Sequence, residues 1–376
     1  MGSATPSVET YYAAIQNKFK LFKLMERYNK NPLPKFQIID LKNEEGFSKK
    51  YPVTETMIRK INDNINKNEQ VLLFLNRRGF SNYMVCQECG SVINCEKCNI
   101  SLTYHKATGE MICHYCGSKK PYYSKCDKCG SENLSDKGAG TQKIEDLLKN
   151  IFTDKNIARL DLDVSRKKGK LHEIIRDFEN NSINILTGTQ IISRGLNFPN
   201  VTLVGILYID DILNLPDFRA AENVFDLIVQ VSGRAGRDKL IGEVIIQTFL
   251  PDHFSIKHAV QYNFEKFYNE ELDLRKALHY PPFYRLVKIT FEASDVNAVE
   301  ETSMKVCELL KKSISDTDVE FLGPISSPVS RIKDKHRYQL LIKCKKISSI
   351  REGLCKVNRR YHSVHVIIDV DPVSLL

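Results

Sequence analysis

Two kinds of apolar spacing alternate along the chain. VLLFL (71–75) and VTLVGILYID (201–210) are nearly continuous apolar runs, as expected of parallel strands buried on both faces. ARLDLDV (158–164), INILTGTQ (183–190) and GEVIIQTF (242–249) read as further strands. Between them, TETMIRKINDNINKNEQ (54–70), TQKIEDLLKNIF (141–152), LHEIIRDFEN (171–180) and FRAAENVFDLIVQVSGRAGR (218–237) place apolar residues three and four apart, the period of an amphipathic helix. Strands alternating with helices predict an α/β domain built on a doubly wound parallel sheet, whose ligands sit at the carboxyl ends of the strands.

The last third changes pattern. Residues 253–283 read as helical and stop at Pro281-Pro282. Then follow a strand (285–293), a helix (296–314), the segment DVEFLG (318–323) leading into a strand pair around 333–344, a helix (348–361) and a strand (364–371). This βαββαβ order predicts an α+β domain of the split-βαβ type. The expected division is 1–52 as a leading segment and connector, 53–250 as the α/β domain, 251–283 as a helical linker and 284–376 as the C-terminal domain.

A cysteine-rich stretch, 84–132, interrupts the first pattern between the strand 71–75 and the helix 141–152. Eight of the 11 cysteines form four C-x-x-C pairs: Cys86/Cys89, Cys95/Cys98, Cys113/Cys116 and Cys126/Cys129. The N-terminal stretch MGSATPSVETYY lacks a basic n-region and an apolar h-region, and no apolar run reaches spanning length, so a cytoplasmic, reducing location without a membrane is expected. In that compartment paired cysteines are metal ligands rather than disulfides. Two knuckles close one tetrahedral Zn²⁺ site, so four knuckles predict two Zn²⁺ per chain. NISLTYHKATGEMI (99–112) reads as a β-hairpin, which would bring Cys95, Cys98, Cys113 and Cys116 together and leave Cys86, Cys89, Cys126 and Cys129 as a nested outer site. Gly90, Gly117 and Gly130 follow three of the knuckles and Asn99 the fourth, as positions needing positive φ. Cys307, Cys344 and Cys355 lack ligand spacing. A formal net charge of +9 does not by itself separate a solvated basic surface from a nucleic-acid face.

Five further segments carry a resemblance: GSATPS (2–7), NRRGF (76–80), LTGTQIISRGLNFP (186–199), PDFRAAE (216–222) and QVSGRAGR (230–237). They resemble successive motifs of superfamily 2 helicases, and the double cysteine insert directly after NRRGF is similar to that of the PriA family of primosomal replication-restart helicases. The resemblance covers essentially the whole chain and starts at the family's third helicase motif. It implies a RecA-like second helicase lobe with an inserted double zinc module and an S10-like C-terminal domain, preceded by the tail of the first lobe.

The same resemblance implies an ATP-driven 3′-to-5′ DNA helicase that recognises abandoned forks, assembles the primosome and reloads the replicative helicase. Its implied partners are single-stranded and forked DNA, primosome proteins, single-stranded DNA-binding protein and the helicase loader. Arg237 is the implied arginine finger, with Arg234 and Gln230 supporting it and Gly233, Gly195 and Asn197 at the nucleotide. Asn197 stands where much of the superfamily has Asp, which retains hydrogen bonding but not a carboxylate. Thr189, Gln190 and Arg194 are implied DNA contacts, while Arg77 and Arg78 either touch phosphate or cap a strand. The basic hairpin Arg331, Lys333, Lys335, His336 and Arg337 either contacts phosphate or is a solvated turn. No G-x-x-x-x-G-K-[ST] loop and no DEAH occurs in these 376 residues, so ATP and Mg²⁺ would require the missing first lobe. The alternative reading is a non-catalytic, zinc-dependent scaffold for DNA or primosome partners.

Overall fold

The computed structural model describes residues 2–24, 32–44, 53–75, 84–86, 88–96, 101–105, 109–113, 117–122, 125–135, 141–160, 164, 169–189, 198–236 and 241–375. The leading helix α1 (Val8–Ile15) is capped by Ser7, whose hydroxyl accepts the Thr10 N–H. After β1 (Lys35–Asp40), Thr54 caps α2 (Glu55–Asn66), which buries Met57, Ile61 and Ile65 at four-residue spacing. Asn68, at φ 60°, turns the chain into β2 (Gln70–Leu75), buried throughout.

The cysteine-rich insert carries short strands: β3 (Val85–Cys86), β4 (Thr103–His105), β5 (Glu110–Ile112), β6 (Lys119–Pro121) and β7 (Leu134–Ser135). The main domain resumes with α3 (Thr141–Ile151), β8 (Ile157–Leu160), α4 (Lys170–Glu179), β9 (Ile185–Gly188), β10 (Val201–Leu207), the short α5 (Asp210–Leu213), α6 (Ala220–Ser232) and β11 (Glu243–Thr248). Six strands form one parallel sheet in the order β1-β11-β10-β2-β9-β8. Alternate residues serve opposite faces. Val71, Leu73 and Leu203 pack under α2 and α3, while Leu72, Phe74, Val204 and Ile206 pack under α4 and α6.

Two details revise the expected division. β1 lies in the stretch expected to be a connector, yet it pairs in parallel register with β11 from Lys35↔Glu243 to Asp40↔Thr248. Its pattern is weak because an edge strand is only half covered. The linker is two helices, α7 (Phe254–Val260) and α8 (Phe264–Ala277), separated by Tyr262 at φ 51°. Ile256, Phe267, Tyr268 and Leu272 enter the core of the parallel-sheet domain, so these helices belong to its packing.

The C-terminal domain contains β12 (Arg285–Ala293), α9 (Val296–Ser313), β13 (Glu320–Ile332), β14 (Lys335–Cys344), α10 (Ser348–Cys355), β15 (Arg360–Tyr361) and β16 (Val364–Val370). Its antiparallel sheet runs β13-β14-β12-β16-β15, which gives the four long strands the split-βαβ arrangement. The last helix is shorter than its sequence pattern suggests, because Arg360 and Tyr361 pair with β16. Val287, Ile289 and Phe291 pack under α9 and α10. On the opposite face Leu286 and Leu341 meet Leu102, Met111 and Cys113 of the cysteine-rich module. Among the described residues no helix is long and apolar enough to cross a membrane.

Candidate functional site

Three knuckles share one backbone design. The Cys86 N–H donates to Ser91 O and the Gly90 N–H to Cys86 O, each at 2.9 Å. The same pair of bonds recurs from Cys113 and Gly117 to Ser118 and Cys113, and from Cys126 and Gly130 to Ser131 and Cys126. Gly90, Gly117 and Gly130 have φ of 69°, 74° and 74°, where a side chain would be strained. Gly90 is constrained twice: a Cβ there would lie 2.1 Å from the ring of Phe249, just past the carboxyl end of β11. The first knuckle therefore sits directly on the parallel sheet.

The thiols of Cys86, Cys89, Cys126 and Cys129 lie within 4.8 Å of one another, with Cys86 to Cys129 at 3.5 Å and Cys89 to Cys126 at 3.7 Å. Tetrahedral Zn–S bonds of about 2.3 Å require sulfur atoms about 3.8 Å apart, so this cluster suits zinc. Its electrostatics agree. Burial pushes the Cys89 thiol up to about 12, although burial of Cys126 is outweighed by the N–H groups of Cys129 and Lys128 and by neighbouring thiols, bringing it to about 6. Without a cation the four cannot all ionise. Of the inner quartet, Cys95 and Cys113 are buried, and β4 and β5 form the hairpin between its halves. Cys98 and Cys116 lie outside the described residues, as does Asn99.

The candidate site residues that the structure describes lie at both ends of the sheet. Thr189 stands at the carboxyl end of β9, half-buried, with its N–H donating to Leu160 O at 3.3 Å. Thr187 is fully buried and its hydroxyl donates to Ala158 O, so it offers nothing to a phosphate. Arg77, Arg78, Gln190, Arg194, Gly195, Asn197 and Arg237 lie outside the described residues. At the opposite end, α6 must return the chain to the start of the next parallel strand. Its terminal turn accordingly reaches the amino end of β10, where the Gly236 N–H donates to Val201 O at 2.9 Å. Gln230, Gly233 and half-buried Arg234 thus lie away from the strand carboxyl ends where all the functional residues were expected. Ser232 fixes this turn, donating to Val229 O and accepting from Tyr262.

The leading segment docks beside the same turn. Gln230 Nε2 donates to Thr5 Oγ1 at 3.1 Å, Tyr268 donates to Pro6 O at 2.6 Å, and the Val8 N–H donates to Glu222 at 2.9 Å. Asp226, one helical turn from both Glu222 and Gln230, is raised to about 8, first by burial and then by Glu222, against the Thr5 hydroxyl and Arg275. Its ordinary value is 3.8, so between about pH 4 and 8 the folded chain holds a proton that the unfolded chain releases. Stability from this group is present at the acid end and is lost as pH rises through about 8. Buried Asp210, raised to about 7, acts in the same direction. Thermal melts across this range should show falling Tm with pH, and Asp226→Asn should flatten the fall; an unchanged slope would count against the assignment.

PDFRAAE, a motif whose role is not evident from the sequence, proves to be a junction. Arg275, 2% exposed, donates to Glu271 at 2.7 Å and to Glu222 at 2.6 Å, and its Nη1 lies 3.4 Å from Glu9. Arg219 also donates to Glu9, at 3.0 Å. Phe218 stacks flat on Tyr280, with Arg219 and Arg275 over its ring. The Glu271/Arg275 spacing marks a helical ion pair, but its burial is not readable from spacing.

Comparison with known proteins follows the same three-part division. Residues 138–239 match the helicase conserved C-terminal domain, 95–121 the PriA DNA helicase Cys-rich region, and 276–373 the primosomal protein N C-terminal domain. Replication restart protein PriA of Bacillus subtilis is 38% identical over 99% of this chain and 46% of the relative. The chain belongs to the PriA replication restart family. PriA of Chlamydia muridarum is 38% identical over 100% of this chain and 50% of the relative, and PriA of Borreliella burgdorferi 34% over 100% and 56%. The chain thus spans about half the length of these PriA relatives.

Proposed function

We propose that this chain supplies the second motor lobe, the zinc module and the C-terminal domain of an ATP-driven 3′-to-5′ DNA helicase. The complete helicase, rather than this part alone, is proposed to recognise stalled forks and to restart replication by assembling the primosome and reloading the replicative helicase. The observation that carries the reading is the docking of Thr5 against Gln230 on the helix that ends in Gly233, Arg234 and Gly236. A motor lobe needs such a turn to place positive charge on a transferring phosphate. Arg237 is assigned the finger, Arg234 and Gln230 support it, and Gly233, Gly195 and Asn197 border the nucleotide. ATP and Mg²⁺ would be gripped by a partner lobe, since this chain contains no phosphate loop or DEAH.

Two Zn²⁺ per chain are assigned, the outer to Cys86, Cys89, Cys126 and Cys129 and the inner to Cys95, Cys98, Cys113 and Cys116. When bound, zinc crosslinks the knuckles. The residues themselves set the donor geometry and seat the module on Phe249.

DNA is assigned to Thr189, Gln190, Arg194, Arg77 and Arg78. In the basic hairpin, Arg331 pairs with Asp334 and Lys335 with Glu292, which leaves Lys333, His336 and Arg337 as its candidate phosphate contacts. Primosome proteins, single-stranded DNA-binding protein and the helicase loader are the proposed protein partners.

The test is binding of the chain to single-stranded and forked DNA across a salt series. Affinity should be weak and should fall by at least about tenfold between roughly 50 and 200 mM salt, with little preference for forks. Salt-independent binding, or none at low salt, would overturn the DNA assignment.

A further inference from the structure

Residues 371–375 leave the C-terminal sheet and cross to the parallel-sheet domain. Asp371, at φ 53°, starts the crossing: its N–H donates to Leu286 O at 2.8 Å and its carboxylate pairs with Arg285. Beyond it, the backbone is read by three side chains. Arg219 Nη1 donates to Pro372 O at 3.2 Å and Val373 O at 3.5 Å, Lys288 Nζ donates to Ser374 O at 3.4 Å, and Asp217 accepts the Leu375 N–H at 3.2 Å. Val373 is 88% exposed whereas Leu375 is 2% exposed. Leu375 enters a cluster with Met84, Cys95 and Met111 of the cysteine-rich module, Tyr280 after α8, and Leu286 and Leu341 of the C-terminal sheet. Three parts of the molecule meet around one leucine.

The receptor is wired further. Arg219 uses its other guanidinium nitrogen on Glu9; Glu9 also faces Arg275, and Arg275 binds Glu222 on α6. We infer that residues 372–375 form a strap, that Arg219, Asp217 and Lys288 are its receptor, and that the Arg219–Glu9–Arg275–Glu222 series couples the seated strap to α6. The seat does not depend on the motor reading. Only its consequence does, because α6 ends at the turn carrying Arg234. Recognition is mostly of backbone, with one buried side chain, and this gain is comparable to the entropy lost in ordering four residues. The strap therefore opens more readily than the cores on either side.

The test is hydrogen–deuterium exchange on the zinc-loaded chain, the chain ended after Asp371, and the variants Leu375→Ala, Leu375→Met, Val373→Ala, Arg219→Ala and Glu9→Gln. Ending the chain, or Leu375→Ala, should raise exchange in 84–113 and 216–222 by at least about tenfold. Leu375→Met should restore protection, since it refills the volume, and Val373→Ala should match the parent chain. If the shortened chain does not fold, Leu375→Ala carries the test alone. Unchanged exchange in Leu375→Ala would overturn the strap. Arg219→Ala and Glu9→Gln should each also raise exchange in 229–236, and protection unchanged there in both would overturn the coupling. Because ATP turnover is not the readout, failure of the helicase assignment would leave this result standing.

Discussion

Arg237→Ala, in a longer chain that also carries a phosphate loop and Mg²⁺-holding carboxylates, is expected to lower DNA-stimulated kcat by about 10³-fold or more. An arginine finger acts on charge that develops only in the transition state, so zinc content and DNA affinity should stay near those of the parent. The 376-residue chain itself should show no DNA-stimulated turnover, because its sequence contains neither a G-x-x-x-x-G-K-[ST] loop nor a DEAH segment. A coupled ATPase assay with single-stranded DNA checks both statements. An active Arg237→Ala enzyme would transfer the role to Arg234, the other arginine of the QVSGRAGR segment, which follows the end of α6. Robust turnover by the chain alone would remove the partner-lobe argument, while DNA binding with no turnover in the longer chain would favour the scaffold reading.

The second large effect is metal loss. Metal analysis should find two Zn²⁺ per chain, with Cys126→Ser releasing chiefly the outer ion and Cys113→Ser chiefly the inner. Structural zinc contributes about 10–16 kcal/mol of apparent binding free energy in isolated small modules. Strands β3 to β7 are only two or three residues long, so either loss should unfold the local knuckles. Cys126→Ser should also loosen Phe249, because the knuckle containing Gly90 rests on that ring and faces Cys126 and Cys129 across the ion. Finding fewer than two ions, or one variant emptying both sites equally, would refute the nested pairing.

The sequence was most informative where chemistry restricts residue choice. Cysteine spacing and the following glycines pointed to the knuckles, and the glycines do take positive φ. The outer four thiols are brought together, as the hairpin between the inner pairs required. Parallel strands buried on both faces were legible as apolar runs, and the C-terminal strand order as βαββαβ. Less legible were features created by long-range packing. β1 is an edge strand with few buried positions, and α7 and α8 resemble a linker until their apolar face is seen in the core. Arg275 carries an ordinary helical pair in sequence, whereas its burial among Glu9, Glu222 and Glu271 depends on three separated segments. The placement of Gln230 and Arg234 departs from the rule that ligands sit at strand carboxyl ends. A crossover helix necessarily delivers its last turn to the other end.

That separation has a mechanical consequence. Thr189 lies at one end of the sheet and Arg234 at the other, with strands such as the six-residue β2 between them. At about 3.3 Å per residue this is a strut of about 20 Å, stiffened by neighbours hydrogen-bonded along its length. On the proposed reading, a tilt of about 10° at the nucleotide end would sweep the DNA end through about 3.5 Å. One nucleotide along a stacked strand rises about 3.4 Å. The sheet is therefore long enough to act as a lever whose stroke, for a modest angular change, matches a single base step.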